Sequence, residues 1–248
     1  MSPWMQLNKY LALCGIASRR KANALILQRR VWVNGKPVER LGVIVNPEAD
    51  SIALDGNILR APDRFYYFLL NKPAGVLTTV YDSRGRKTVM DLVPVHKGLY
   101  PVGRLDKDTE GVLLITNDGN LAYRLAHPKY KIEKVYEAWV SGKMKPKHIE
   151  KLRSGVSIGQ NVIVNGEAKI LRYKNGNTLI EIRIHQGKKR QVKRMCKAIG
   201  FPVLSLTRTC FAGLTAEGVP RGTYRELASE EICNLYRMTG LTEYGRDH

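Results

Sequence analysis

The 248-residue chain is 44% hydrophobic and carries 41 Lys and Arg against 22 Asp and Glu, a formal net charge of +19. That apolar content supplies a core and excludes wholesale disorder, while the charge makes a polyanion the expected partner. No apolar run reaches the ~18 residues that span a bilayer. Charge alone leaves RNA, DNA, an anionic membrane surface or a generically basic protein.

The opening MSPWMQLNKYLALCG has no long apolar core and no small-residue cleavage site, which predicts a cytosolic, cytoplasmic protein. Leu7, Tyr10, Leu11 and Cys14 recur at helical spacing, and Ala22, Leu25, Ile26 and Arg29 follow on a second helix that Ser18 can cap. Val31 to Val38 reads as strand, Asn34-Gly35 turn and strand, and a further hairpin ends near Ser51–Leu54 with the turn Asp55-Gly56. Arg19, Arg20 and Lys21 put three cations in the first turn of the second helix, against the macrodipole, which favours acids there by about 0.3–1 kcal/mol each. A helix end that presents cations to phosphate explains the conflict, and a solvated charged face is the plainer alternative. Residues 1–62 hold nine Lys and Arg against four acids.

The stretch NKYLALCGIASRRKANALILQRRVWVNGKPV, residues 8–38, resembles an S4 domain, an RNA-binding module without chemistry of its own. The resemblance implies that Lys9, Arg19, Arg20 and Lys21 contact RNA.

Ala61-Pro62-Asp63-Arg64 reads as a short linker, which predicts a domain over 1–62 and a second over 63–248. Beyond it, Phe65–Leu70 and Gly111–Thr116 read as buried strands, the latter closed by an Asn117-Asp118-Gly119 turn. Lys134–Val140 and Thr178–His185 alternate as half-buried strands, and Pro146–Arg153 reads as a helix. Gly187–Ile199 reads as an amphipathic helix with Val192, Met195, Cys196 and Ile199 on one face. Strands with interspersed helices and no regular βαβ rhythm predict an α+β sheet. The last ten residues are expected to be frayed or loosely docked. Trp4, Trp32 and Trp139 are expected in the core.

Two stretches could carry chemistry. Pro101–Gly111, PVGRLDKDTEG, sets a glycine, a cation and the carboxylates of Asp106 and Asp108 directly before a buried strand. A rigid strand can deliver a catalytic acid this way, but spacing alone reads more readily as a polar turn. From His185 to Lys197 there are six Lys and Arg, including Lys188, Lys189, Arg190, Lys193 and Arg194, and no acid. Such a helix repels itself unless anions neutralise it, and an RNA backbone supplies them. Cys14, Cys196, Cys210 and Cys233 lie far apart, as do the five histidines, His127 and His185 among them, which predicts no metal site and no disulfide framework. No glycine-rich nucleotide loop is present, so no cofactor is expected.

Taken in order, Leu70-Asn71-Lys72-Pro73-Ala74-Gly75-Val76, Gly103-Arg104-Leu105-Asp106, Lys134-Val135-Tyr136 and Gly187–Met195 resemble the RsuA/RluB-type pseudouridine synthases, in which an S4 domain also precedes the catalytic domain. The resemblance implies a mostly antiparallel mixed sheet flanked by helices. It implies Asp106 as nucleophile, Tyr136 over the base, Lys193 as the cation that keeps the carboxylate ionised, Val192 as its apolar neighbour, and Arg104 holding the target nucleotide out of its stack. Asp108 receives no role. The reaction exchanges a C–N for a C–C bond between the same base and sugar, so it needs no cofactor, and a carboxylate can hold one fragment while the uracil turns. Attack at C1′, attack at C6 and a glycal route all remain open. The expected partner is ribosomal RNA, free or in precursor particles, with no membrane or DNA partner and a monomeric enzyme. Asp82–Val93 is similar to the branch acting on large-subunit (23S) RNA, whereas Lys107–Gly111 is also similar to members acting on small-subunit (16S) RNA. A non-enzymatic S4 ribosome-assembly factor and a basic DNA-binding protein are the rivals. The first predicts that Asp106→Asn changes nothing, and the second lacks a helix-turn-helix signature.

Overall fold

The computed structural model describes residues 4–241 and divides the chain into two compact units. The first takes the chain as far as Tyr66 together with Val95–Leu99, and the second takes Tyr67–Pro94 and the chain from Tyr100 onward.

In the first unit, helices α1 (Leu7–Leu13) and α2 (Arg19–Leu27) pack together. The predicted face of α1 is buried: Leu7, Tyr10 and Leu11 lie in the core with Cys14, Ala22, Ile26, Val31, Val38, Val45 and Ile52. Ser18 caps α2 by accepting from the Lys21 amide at 3.3 Å. Arg29 falls beyond the helix, where its φ of 60° turns the chain out of it. Strand β1 (Met5–Gln6) pairs with β4 (Ile44–Val45), and β2 (Val31–Val33), β3 (Lys36–Pro37), β5 (Ile52–Leu54) and β6 (Asn57–Ile58) form a four-stranded sheet in the order β3-β2-β5-β6. Both predicted two-residue turns are present, with positive φ at Asn34, Gly35, Asp55 and Gly56, as the hairpin twist requires. Gly15 lies where a side chain would meet the Gly98 backbone, and a Cβ on Gly98 would come within 2.7 Å of the Leu13 carbonyl oxygen. Trp4 and Trp32 are 58% and 41% exposed, against the expected core placement. A three-residue strand on a small core has one buried face, and Val31 and Val33 occupy the inward positions on either side of Trp32.

The second unit is built on a nine-stranded sheet. Its strands are β7 (Tyr67–Lys72), β8 (Tyr100–Pro101), β9 (Thr109–Thr116), β10 (Lys134–Val140), β13 (Glu167–Lys174), β14 (Asn177–Ile184), β15 (Val203–Phe211), β16 (Leu214–Thr215) and β17 (Tyr224–Glu226). The order is β13-β14-β10-β15-β9-β7-β17, with β8 on β9 and β16 on β15. Of these strand pairs only β9 and β15 run parallel, so the fold is α+β with a mostly antiparallel mixed sheet. A short hairpin pairs β11 (Val156–Ser157) with β12 (Ile163–Val164). Strands β7 and β9 are buried almost throughout, as their continuous apolar runs require of strands covered on both faces.

Among the described residues four α-helices flank the sheet: α3 (Gly119–Ala126), α4 (Pro146–Ser154), α5 (Gln191–Ala198) and α6 (Ser229–Met238). Leu121, Ala122 and Leu125 of α3 and Ile232, Leu235 and Tyr236 of α6 share one core with Leu69, Val112, Leu114 and Phe211. The predicted turn at Asn117-Asp118-Gly119 is instead the start of α3. Asp118 accepts from the amides of Asn120 and Leu121 as an N-cap, and its second oxygen accepts from the hydroxyls of Tyr67 and Tyr236. Helix α5 begins four residues later than predicted, because Arg190 at its N-cap takes a left-handed φ of 53°. Among the last ten residues, Thr239 is 2% exposed and bonds back to Leu235 and Tyr236, and Leu241 packs on the core, so these are docked rather than frayed. The remainder, 242–248, lies outside the described residues. No described helix is long and apolar enough to cross a membrane.

Candidate active site

The Asp106 loop joins β8 to β9, and its backbone is held from beneath. Lys72, at the end of β7, has no exposed surface. Its ammonium donates to four carbonyls, those of Pro73 (3.0 Å), Asp106 (3.2 Å), Lys107 (3.2 Å) and Thr109 (2.8 Å). Burial lowers its pKa to about 8, although the neighbouring Asp108, Glu110 and Asp106 pull it up. Thr78 clamps the next position, donating to the Leu105 carbonyl at 2.8 Å and accepting from its amide at 3.3 Å. The Gly75 amide donates to the Lys107 carbonyl. Residues on both sides of Asp106 are thus fixed, while its carboxylate reaches the surface with 32% of the side chain exposed.

The cations near that carboxylate differ from expectation. Arg190 lies nearest, 3.9 Å from Asp106 Oδ2. Lys193, expected beside Asp106, instead donates to Asp108 Oδ2 at 2.6 Å. Its position on the first turn of α5 directs a side chain only 11% exposed onto the outer carboxylate of the loop. This hydrogen bond holds Asp108 below the usual carboxylate range.

Tyr136 is 8% exposed on β10 and sits opposite Arg208 of β15, which in turn sits opposite Gly111 of β9. At about 4.8 Å per strand this row spans roughly 10 Å. Arg208 is 2% exposed, donates Nε to the Val112 carbonyl and lies 4.7 Å over the Phe211 ring. Its NH2 group and the Thr109 hydroxyl are buried polar atoms without a hydrogen-bond partner among the described residues. Gly111 is required here, because a Cβ would fall 2.1 Å from the Arg208 carbonyl oxygen.

The remaining predicted contacts sort by exposure. Arg104 is exposed on the loop, and Lys188, Lys189 and Arg190 are exposed in the segment before α5 rather than on it. Arg194 turns inward and donates to the carbonyls of Ile158 and Lys189. In the first unit Arg19, Arg20 and Lys21 are exposed and Lys9 is half-buried, with Arg19 donating to Gln6 at 2.7 Å. No group of three or more His, Cys, Asp or Glu suited to a metal ion occurs among the described residues. Sequence reasoning misses Lys72 and Thr78 as site residues. Lys72 stands in the Leu70–Val76 motif, which marks the position but assigns it no role.

Comparison with known proteins identifies the family and the fold. Residues 66–198 match the RNA pseudouridylate synthase family and residues 5–51 match the S4 domain. An uncharacterised RNA pseudouridine synthase of Aquifex aeolicus is 42% identical, the match covering 96% of each chain. The ribosomal large subunit pseudouridine synthase B of Bacillus subtilis is 40% identical over 98% of each. A crystal structure of a pseudouridylate synthase superposes with a TM-score of 0.66 at 28% identity, covering 93% of this chain and 99% of the other. With likeness of this extent in both sequence and fold, the chain belongs to the RNA pseudouridine synthase family and carries an S4 domain ahead of its catalytic unit.

Proposed function

We propose that the enzyme converts a uridine of large-subunit ribosomal RNA to pseudouridine with Asp106 as nucleophile. The observation that carries this reading is the Asp106 loop. Its backbone is fixed by Lys72, Thr78 and Gly75, while the carboxylate stands part-exposed beside Arg190. The Arg190 guanidinium stands 3.9 Å from the carboxylate that the attack requires. The 40% identity to a Bacillus subtilis enzyme named for the large ribosomal subunit supports the choice of RNA.

Arg104 holds the target nucleotide out of its stack, a deformation that costs a few kcal/mol and that contacts from the basic surfaces offset. The Asp106 carboxylate attacks the flipped uridine and the N1–C1′ bond breaks. The uracil turns within the site, a C5–C1′ bond forms and the bond to Asp106 breaks to return the free carboxylate, N1 gains a proton and the C5 proton leaves. Tyr136 covers the base during this turn, and Lys193, paired with Asp108, ties α5 to the same loop. Lys72 and Thr78 touch only the loop backbone and act as positioning residues. The enzyme works in the cytoplasm as a monomer, on ribosomal RNA or precursor particles, with Lys9, Arg19, Arg20, Lys21, Lys188, Lys189 and Arg190 gripping phosphate.

The test is a carbodiimide primer-extension scan of unmodified large- and small-subunit RNA after incubation with wild type or Asp106→Asn. A new stop in the large-subunit RNA, absent with the variant, is expected. A stop only in small-subunit RNA moves the substrate. Stops that persist with Asp106→Asn remove the nucleophile assignment. No stop in either RNA or in precursor particles, despite tight salt-sensitive binding, favours the assembly-factor reading.

A further inference from the structure

The segment from Thr78 to Lys87 is not absorbed by the chemistry above, yet it springs from the same place. Its first residue, Thr78, is the one that clamps Leu105, the neighbour of Asp106. Its ends are tied together, with the Leu77 amide donating to the Lys87 carbonyl at 3.0 Å and the Val89 amide to the Leu77 carbonyl at 2.9 Å. The loop is therefore a closed projection whose base is part of the Asp106 loop's support.

Its interior is organised around one carboxylate. Asp82 accepts from the amides of Arg84 and Arg86 and from Nε and NH2 of Arg86, the last at 2.7 Å. These bonds, the Arg86 guanidinium first among them, hold the Asp82 carboxyl down to about 2. The loop's single acid is thus consumed internally with one of its cations. What the loop shows to solvent is apolar and positive: Val80 is 55% exposed, Tyr81 is 72% exposed, and Arg84 and Lys87 are exposed as well.

An exposed aromatic ring flanked by cations on a pre-ordered loop matches the chemistry of single-stranded RNA. Bases stack on such rings whatever their sequence, and the cations follow the backbone. In a protein of net charge +19, surface cations alone carry little information, but an exposed aromatic side chain among them adds a face on which a base can stack. We infer that the Thr78–Lys87 loop is an RNA-docking element in which Tyr81 stacks on an unpaired base near the target uridine while Arg84 and Lys87 engage the adjoining phosphates. The inference rests on the RNA-modifying function proposed above and adds the structural class of substrate: a target with an unpaired neighbour, from a loop or bulge.

The test uses the full-length enzyme, unmodified in-vitro-transcribed large-subunit RNA, and two readouts, equilibrium binding and tritium release from [5-3H]uridine-labelled RNA. Tyr81→Ala is expected to weaken binding about tenfold or more and to raise KM more than it lowers kcat. Tyr81→Phe, which keeps the ring, restores most of that affinity. Arg84→Ala with Lys87→Ala reduces the slope of log affinity against log salt by about 0.7 for each phosphate no longer neutralised. Unchanged binding in Tyr81→Ala, or equal losses in the alanine and phenylalanine variants, overturns the stacking role, provided that both melt with wild type. If wild type binds the RNA but releases no tritium, the functional proposal fails while the binding series still decides the loop. Because the first unit also binds RNA, the series is repeated with Arg19, Arg20 and Lys21 replaced by alanine, where loss of the Tyr81 effect also counts against the loop.

Discussion

On α2 of the first unit Arg19, Arg20 and Lys21 stand exposed, whereas in the second unit Lys72 has no exposed surface and Lys193 very little. The exposed set sits where the helix dipole opposes it and makes an exposed bond from Arg19 to Gln6, so on the proposed function its value lies mainly in the phosphate it binds. The buried set makes its bonds inside the protein, and its value lies in where it holds the Asp106 loop. One kind of cation is separable from the fold and the other is not.

Lys72→Met breaks this contrast most severely. Removing a donor shared by four carbonyls is expected to cost about 3 kcal/mol of stability. The displaced loop is expected to lose about 100-fold or more in activity. Urea unfolding and tritium release measure the two. The comparison with wild type also has a pH signature. The folded pKa of Lys72 is about 8, against 10.5 ordinarily, so between these values the unfolded chain holds more protons. Wild-type stability should therefore rise with pH across that window relative to the variant, and a flat or falling difference contradicts the burial of this ammonium.

Replacing Arg19, Arg20 and Lys21 together by alanine is the milder change. Affinity for ribosomal RNA should fall about tenfold or more, and the salt slope by about 1 for each phosphate released from its cation. The melting temperature should hold or rise slightly, because the cations oppose the dipole. A clear loss of stability would place them among the structural cations instead. Asp108→Asn, the smallest change, releases Lys193 from its 2.6 Å partner. Because Asp108 is largely exposed, stability should change by less than about 1 kcal/mol, with activity altered a few-fold at most. A change of 100-fold would give Asp108 a role the proposed mechanism does not assign.

Much of the fold is legible where a local rule acts alone. Helical spacing places Leu7, Tyr10 and Leu11, and turn chemistry places Asn34-Gly35 and Asp55-Gly56. Legibility ends where one signal serves two structures. Asp118-Gly119 reads as a turn, but an aspartate before a helix is equally a cap, and the buried Tyr67 and Tyr236 hydroxyls on the same carboxylate are far away in sequence. The start of α5 escapes the sequence because an arginine at φ 53° leaves no mark in composition. The candidate site shows its Asp106 through the motif series, which also contains Lys72 and Gly75 but gives neither a role. Lys72 stands in that series without a task, because only folding brings the carbonyls of residues 106, 107 and 109 to it.

The return of Val95–Leu99 to the first unit has a practical consequence for anyone dissecting the protein. The chain passes between the units at three places, after Tyr66, after Pro94 and after Leu99. A fragment ending at Tyr66 would lack the peptide that Gly15 and Gly98 bring into close approach, leaving a bare seam along the end of α1. Conversely, a single protease cut between Tyr67 and Pro94 would nick the polypeptide without freeing the RNA-binding piece. The two units are thus sewn rather than strung, and an excised S4 module needs its missing stitch supplied in trans or grafted on by a designed linker.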